Sequence, residues 1–294
     1  MYDKFHNIGI IAPAGKLKPD KFDTGIAFLR AFGKQLKFGG HVNGPSPADY
    51  LSAGAEERAE DLSSLWFDPE IDLLLAVRGG FGSAHLLPLL DWQALKTRPE
   101  IPLAGFSDIT ALQWAMERFG AGRPIAGPML GKLAESAASA YTARYNRLAF
   151  DAEPYEINPA PEYGGYLPLK PGTASGLPLV GNLTVAATLC GTPYLPDVSG
   201  RILILEDLNE PLYKLDRSLT MLEQNGIFER CAGVLFGQFS DCASQPELHT
   251  LLRRSAECVN GPVLANFPFG HTLPIATIDF HRAIAIEHTR VRVL

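Results

Sequence analysis

Two apolar runs, "IDLLLAV" (71–77) and "IPLAGF" (101–106), narrow the possible folds more than any other feature of the chain. Neither alternates polar with apolar residues, so a strand built from either must be covered on both faces. "NIGIIAP" (7–13) is a third such run, closed by Pro13. Segments with helical spacing lie between and after them. Phe22, Ile26 and Leu29 recur at three- and four-residue intervals before Gly33, and Ala59, Leu62, Leu65 and Trp66 share one face of "EERAEDLSSLWF". "AHLLPLL" (84–90) also reads as helical. Ile109, Leu112, Met116 and Phe119 make a stripe that stops near Gly120. Covered strands alternating with amphipathic helices predict a parallel α/β layer with crossover helices.

The character changes at 151–178, where Pro154, Pro159, Pro161, Pro168, Pro171 and Pro178 are interspersed with Gly164, Gly165, Gly172 and Gly176. Such a stretch marks a linker or the turn-rich opening of a second domain. The expected organisation is an α/β domain over 1–150, a connecting segment over 151–178 and a β-rich domain over 179–294. In the last part "RILILED", "AGVLFGQF" and "HRAIAIEHTRVRVL" read as strands. "DRSLTMLEQNG" reads as a helix with Asp216 as its cap and Gly226 as its stop. Its shorter runs suggest a mixed or barrel-like sheet.

Composition removes several classes. With 26 basic and 32 acidic residues the net charge is −6, and the cations are scattered, which argues against nucleic acid and anionic membranes as partners. No signal-like segment opens the chain and no apolar run is long enough to span a bilayer, so a cytoplasmic location is expected. Cys190, Cys231, Cys242 and Cys258 form no CxxC pair, and the seven histidines form no HExxH, so free thiols and no metal or cofactor are expected.

Three polar residues stand where buried strands end: Ser107 after "PLAGF", Glu206 after "ILIL" and His271 after "ANFPFG". A nucleophilic serine needs a base, and that base needs an acid to orient it. Each residue also has a plainer role open to it. Ser107 or Asp108 can cap the next helix, Glu206 or Asp207 can pair with Arg201 or Arg217, and His271 can sit in a glycine turn. The glycine-rich "RGGFGS" (78–83) can bring backbone amides to an anion, and Ser83 within it is a rival nucleophile.

The blocks "LLLAVRGGFGSAHLLPLLD", "LAGFSDITAL", "GNLTVAATLCGTPYLPD", "ILILEDLNEPLYKLDRSLTML" and "FPFGHTLPIATI" resemble, in order and over nearly the whole chain, the signature blocks of the LD-carboxypeptidase family of serine peptidases. That family includes murein tetrapeptide carboxypeptidases and microcin C self-immunity hydrolases. The resemblance implies a Rossmann-like or flavodoxin-like N-terminal domain, a C-terminal β-barrel-like domain and a homodimer. It maps the nucleophile to Ser107, the acid to Glu206, the base to His271 and the oxyanion donors to the Gly80 and Asp108 amides. Arg78, which precedes the glycine loop, is the candidate contact for a substrate carboxylate.

The implied activity is metal-independent hydrolysis of the bond between an L-centre and a terminal D-alanine in murein tetrapeptides or related small peptides, in peptidoglycan recycling. The alternatives are an immunity hydrolase acting on aminoacyl-adenylate analogues with the same triad, and a non-catalytic ligand-binding protein. Val180 stands where family members often have glycine, and Phe81 where tyrosine is common. Both departures are expected to alter the surface that faces the substrate.

Overall fold

The three covered runs fold as strands. The computed structural model describes residues 1–42 and 44–294. The chain divides into two compact units, Met1–Arg147 and Leu148–Leu294. In the first, β1 (Asn7–Ile11), β2 (Gln35–Phe38), β3 (Leu73–Ala76), β4 (Pro102–Gly105) and β5 (Arg123–Ala126) pair in parallel in the order β5-β4-β3-β1-β2. Every residue of β3 and β4 is buried, as unbroken apolar runs require.

The connecting helices are α1 (Pro19–Ala31), α2 (Ala55–Trp66), the short α3 (Trp92–Leu95) and α4 (Thr110–Phe119), followed by α5 (Leu133–Ala138) and α6 (Ala140–Leu148). Gly120, at φ 66°, stops α4 in the left-handed conformation that glycine adopts without a steric penalty. "AHLLPLL" departs from its expected helix. Only a 3₁₀ turn forms, over Ser83–Leu86, because Pro88 has no N–H for a helical ladder and its ring crowds the preceding turn.

In the second unit, β9 (Pro178–Asn182), β10 (Ile202–Leu208), β11 (Gly233–Ser240) and β12 (Val263–Ala265) lie parallel, with β7 (Leu167–Lys170) antiparallel against β12. Helices α7 (Leu183–Thr188), α8 (Leu212–Gln224), α9 (Ile227–Arg230) and α10 (Gln245–Glu257) connect the parallel strands. β6 (Tyr155–Glu156), β8 (Thr173–Gly176), β14 (Ile284–Glu287) and β15 (Arg290–Val293) form an antiparallel sheet, and a short strand β13 (Ile278–Asp279) precedes the last two.

The α/β class therefore holds, and its C-terminal detail is refined. Among the described residues the second unit builds two open sheets in place of a barrel, and its larger sheet is a crossover layer. β9, β10 and β11 are each followed by a helix, so the chain returns in parallel. Residues within 151–178 supply β6, β7 and β8. The Asp216 cap is also corrected: α8 starts four residues earlier, after Pro211, and Asp216 accepts from the Arg254 guanidinium at 2.6 Å. No helix among the described residues is long and apolar enough to cross a membrane.

Candidate active site

β4 delivers the chain directly into Ser107, which opens a 3₁₀ turn leading into α4. Ser107 has φ +64°, a left-handed conformation that costs a residue with a Cβ about 1–2 kcal/mol. Such strain persists where surrounding contacts over-determine it. Here they are close approaches at two glycines. A Cβ on Gly105 would come within 3.0 Å of the Ile109 side chain. One on Gly79 would lie 2.8 Å from the Ser107 Cβ and 2.9 Å from its Oγ. The turn thus dispenses with a glycine at 109, because the room comes from Gly105 and from the neighbouring loop.

That loop, Arg78–Ser83, is bound to the serine turn through Asp108. The Asp108 carboxylate accepts from the Ser83 N–H at 2.8 Å, and its main-chain carbonyl accepts from the Ser83 hydroxyl at 2.5 Å. Ser83, the rival nucleophile, is fully buried and spends its hydroxyl on this clamp. Gly80 and Gly82 have φ +109° and +113°, which lets the loop turn back toward Ser107. Gly79 packs 3.1 Å from the Asp108 nitrogen, measured from the Cβ position it lacks.

Sequence reasoning missed two buried supports. Arg58 on α2 donates to the carbonyls of Pro13 at 2.6 Å and Gly82 at 2.8 Å. Burial lowers its guanidinium from the ordinary value, and the Asp108 charge partly offsets that. Its place four residues before Leu62, on the apolar face, was the available signal. Gln113 on α4 donates to the carbonyls of Gly105 at 3.1 Å and Ile125 at 2.9 Å, beneath the serine turn.

Arg78 lies on the outer side of the loop. Its Nη1 donates to the Lys16 carbonyl at 3.0 Å. With Lys16, Asp49, Tyr50, Gly80 and Phe81 it lines a cavity of about 470 Å³. Phe81 is 53% exposed there. Val180 is different: it is buried in β9 beside Ile204, so the expectation that it faces the substrate is corrected.

In the second unit the two remaining candidates meet. The Glu206 Oε2 lies 2.6 Å from the His271 Nδ1. Glu206 is fully buried near the end of β10, and His271 is part-buried after Gly270. Burial pushes the Glu206 carboxyl above its ordinary value, while the bond from His271 and one from Asn182 pull it back. Asn182, the cap of α7, holds both adjacent acids, donating to Glu206 at 3.4 Å and to Asp207 at 2.9 Å. Asp207 itself accepts from the Thr184 N–H at 3.0 Å and hydroxyl at 2.7 Å, so it serves the start of α7.

Arg201 donates to the Pro178 carbonyl, and the Arg217 guanidinium lies over the Tyr213 ring. All four cysteines are free thiols, and no cluster among the described residues could hold a metal ion. A histidine held by a buried carboxylate through Nδ1 presents Nε2 as its proton-accepting atom. A serine on a strained turn after a strand, packed against a glycine-rich loop, suits attack on a carbonyl.

The chain is similar to known proteins over most of its length. Residues 8–122 match the LD-carboxypeptidase N-terminal domain and residues 175–286 the LD-carboxypeptidase C-terminal domain. A putative carboxypeptidase of Streptomyces coelicolor is 32% identical, over 93% of this chain and 87% of its own. The murein tetrapeptide carboxypeptidase of Pseudomonas aeruginosa is also 32% identical, over 97% of this chain and 94% of its own. Among solved structures, an MccF-like protein from Bacillus anthracis superposes with a TM-score of 0.88 over 98% of this chain and 96% of that one, at 23% identity.

Proposed function

The chain belongs to the LD-carboxypeptidase family, and from that premise we propose that it hydrolyses the bond between an L-centre and a terminal D-alanine in murein tetrapeptides. The observation that carries the reading furthest is the 2.6 Å contact between the buried Glu206 and His271. A carboxylate that accepts from Nδ1–H fixes the tautomer and leaves Nε2 to act as base.

In the proposed cycle His271 Nε2 takes the Ser107 proton as the serine oxygen attacks the scissile carbonyl. The Gly80 and Asp108 amides receive the developing oxyanion. His271, now protonated and stabilised by Glu206, passes the proton to the leaving amine, and D-alanine departs. Water, deprotonated by His271, then attacks the acyl-enzyme and frees Ser107. Arg78 is assigned to the terminal carboxylate, because it lines the cavity beside Gly80. All steps are acyl transfer, so the chain's own residues supply the whole mechanism.

Incubation with matched tetrapeptides ending in D- or L-alanine, with chiral analysis of the released alanine, tests this directly. The D-epimer should be cleaved far faster, since inversion at that carbon misplaces either the methyl or the carboxylate. Equal rates would overturn the LD assignment. Selective cleavage of an aminoacyl-adenylate analogue would transfer the same triad to the immunity reaction.

A further inference from the structure

The register between β10 and β11 shifts at the acid. Leu205 pairs with Phe236 and Asp207 with Phe239, so the single residue Glu206 faces both Gly237 and Gln238. Such an irregularity re-aims side chains at a strand end. Gly237 is required there, since a Cβ would lie 2.4 Å from the Phe269 carbonyl and 3.2 Å from the Glu206 Cβ. Gln238 then points its amide at the segment that carries His271.

Its contacts bracket the histidine. The Gln238 N–H donates to the Phe269 carbonyl at 2.9 Å, two residues before His271. Its Oε1 accepts from the Thr272 N–H at 3.0 Å, one residue after, and its Nε2 donates to the Pro274 carbonyl at 3.4 Å. Thr272 is held further by Tyr163, whose hydroxyl donates to its carbonyl at 2.9 Å, and by Ser240, whose hydroxyl lies 2.9 Å from its own. The side chain of Gln238 is almost wholly buried, so these bonds are shielded from competing water.

We propose that Gln238 is a positioning residue: it locks the His271 loop onto β11 so that Nδ1 stays on Glu206 and Nε2 is held at one angle for proton transfer. The inference rests on the reading of His271 as the base. Only an amide performs this task. It accepts at one atom and donates at the other, whereas a carboxylate only accepts and an apolar side chain does neither. Among the described residues, the titratable groups linked to the histidine are Glu206, which bonds the imidazole, Asp207 and Cys242, which act on Glu206, and Tyr163, which bonds Thr272.

Two substitutions test it. Gln238→Met keeps the length of the side chain but removes the bonds. It should lower kcat about 10- to 100-fold with KM changed less than about threefold, the pattern of a displaced catalytic group. Gln238→Glu keeps the acceptor for Thr272 and adds a carboxylate near the imidazole. It should raise the pH of the acid limb of kcat/KM and, in the same direction, the titration of the His271 ring protons followed by NMR. A Met variant with the parent's kcat, or a Glu variant whose His271 titration is unmoved, would overturn the proposal. If the parent releases no alanine from any tetrapeptide, the carboxypeptidase reading fails instead. The ring titration, which needs no substrate, still decides whether Gln238 governs His271.

Discussion

The candidate nucleophile of the first unit and the Glu206–His271 pair of the second are held by different means. The serine turn is positioned by its backbone: Ser107 sits in a left-handed conformation, wedged between Gly79 and the Gly105–Ile109 contact. The proposed acid–base pair is positioned by side-chain amides, with Asn182 behind Glu206 and Gln238 behind the His271 loop. The difference follows from what each part must do. A nucleophile has to present one oxygen at one place, and a strained main chain does that without moving parts. An imidazole must donate, accept and change charge in turn, so its supports must be polar and directional.

The largest effects are expected at the proposed nucleophile and acid. Ser107→Ala should abolish measurable turnover, at least about a 10³-fold loss, with little change in melting temperature, because it leaves the backbone conformation as it was. Glu206→Gln should lower kcat by about 10²- to 10⁴-fold, since the amide carries no charge to stabilise the imidazolium. Stability should move the other way with pH. Burial raises the Glu206 carboxyl, so as pH climbs the unfolded chain ionises first and folding loses stability from the ordinary carboxylate range upward. Removing the charge removes that loss. The melting temperature of Glu206→Gln relative to the parent should therefore increase as pH rises above the ordinary carboxylate range.

Next in size is Gly79→Ala. Its methyl would sit 2.8 Å from the Ser107 Cβ, so the turn must shift, and turnover should fall roughly 10²-fold by single-turnover kinetics. Asp207→Asn should do the reverse of Glu206→Gln: activity within a few-fold of the parent, with about 1–3 kcal/mol of stability lost in urea titration, because Asp207 serves Thr184 and Asn182. A larger rate loss at Asp207 than at Glu206 would mean the wrong carboxylate was assigned. The smallest effect is a contrast at one position. Ser107→Gly should melt slightly above Ser107→Ala, since relief of about 1–2 kcal/mol of backbone strain exceeds the entropy of about 0.5–1 kcal/mol that glycine loses on folding. The opposite order would show that the left-handed turn carries no strain.

Local chemistry was enough to read much of this molecule. Unbroken apolar runs identified β1, β3 and β4, and three- and four-residue spacing identified α1, α2 and α4, because burial on two faces or one leaves those patterns wherever the chain goes. The candidates Ser107 and Glu206 were legible as polar residues at or near the ends of buried strands, whereas His271 lies six residues beyond the end of β12. Pro88 was a local signal that the helical pattern of "AHLLPLL" outweighed in the reading.

What the sequence could not supply is pairing between distant residues. Nothing near Ser83 says that its hydroxyl belongs to Asp108, and nothing near Gln238 says that its amide meets Thr272. The two sides of the 2.6 Å Glu206–His271 contact come from points 65 residues apart. The parallel layer of the second unit was hidden for the same reason: order and direction of strands are set by which apolar faces the helices cover. The chain determines its elements and its chemical candidates by short-range pattern. Only the tertiary structure brings a strained backbone to one candidate and directional amides to the others, because those interactions depend on distance in space, to which sequence separation is blind.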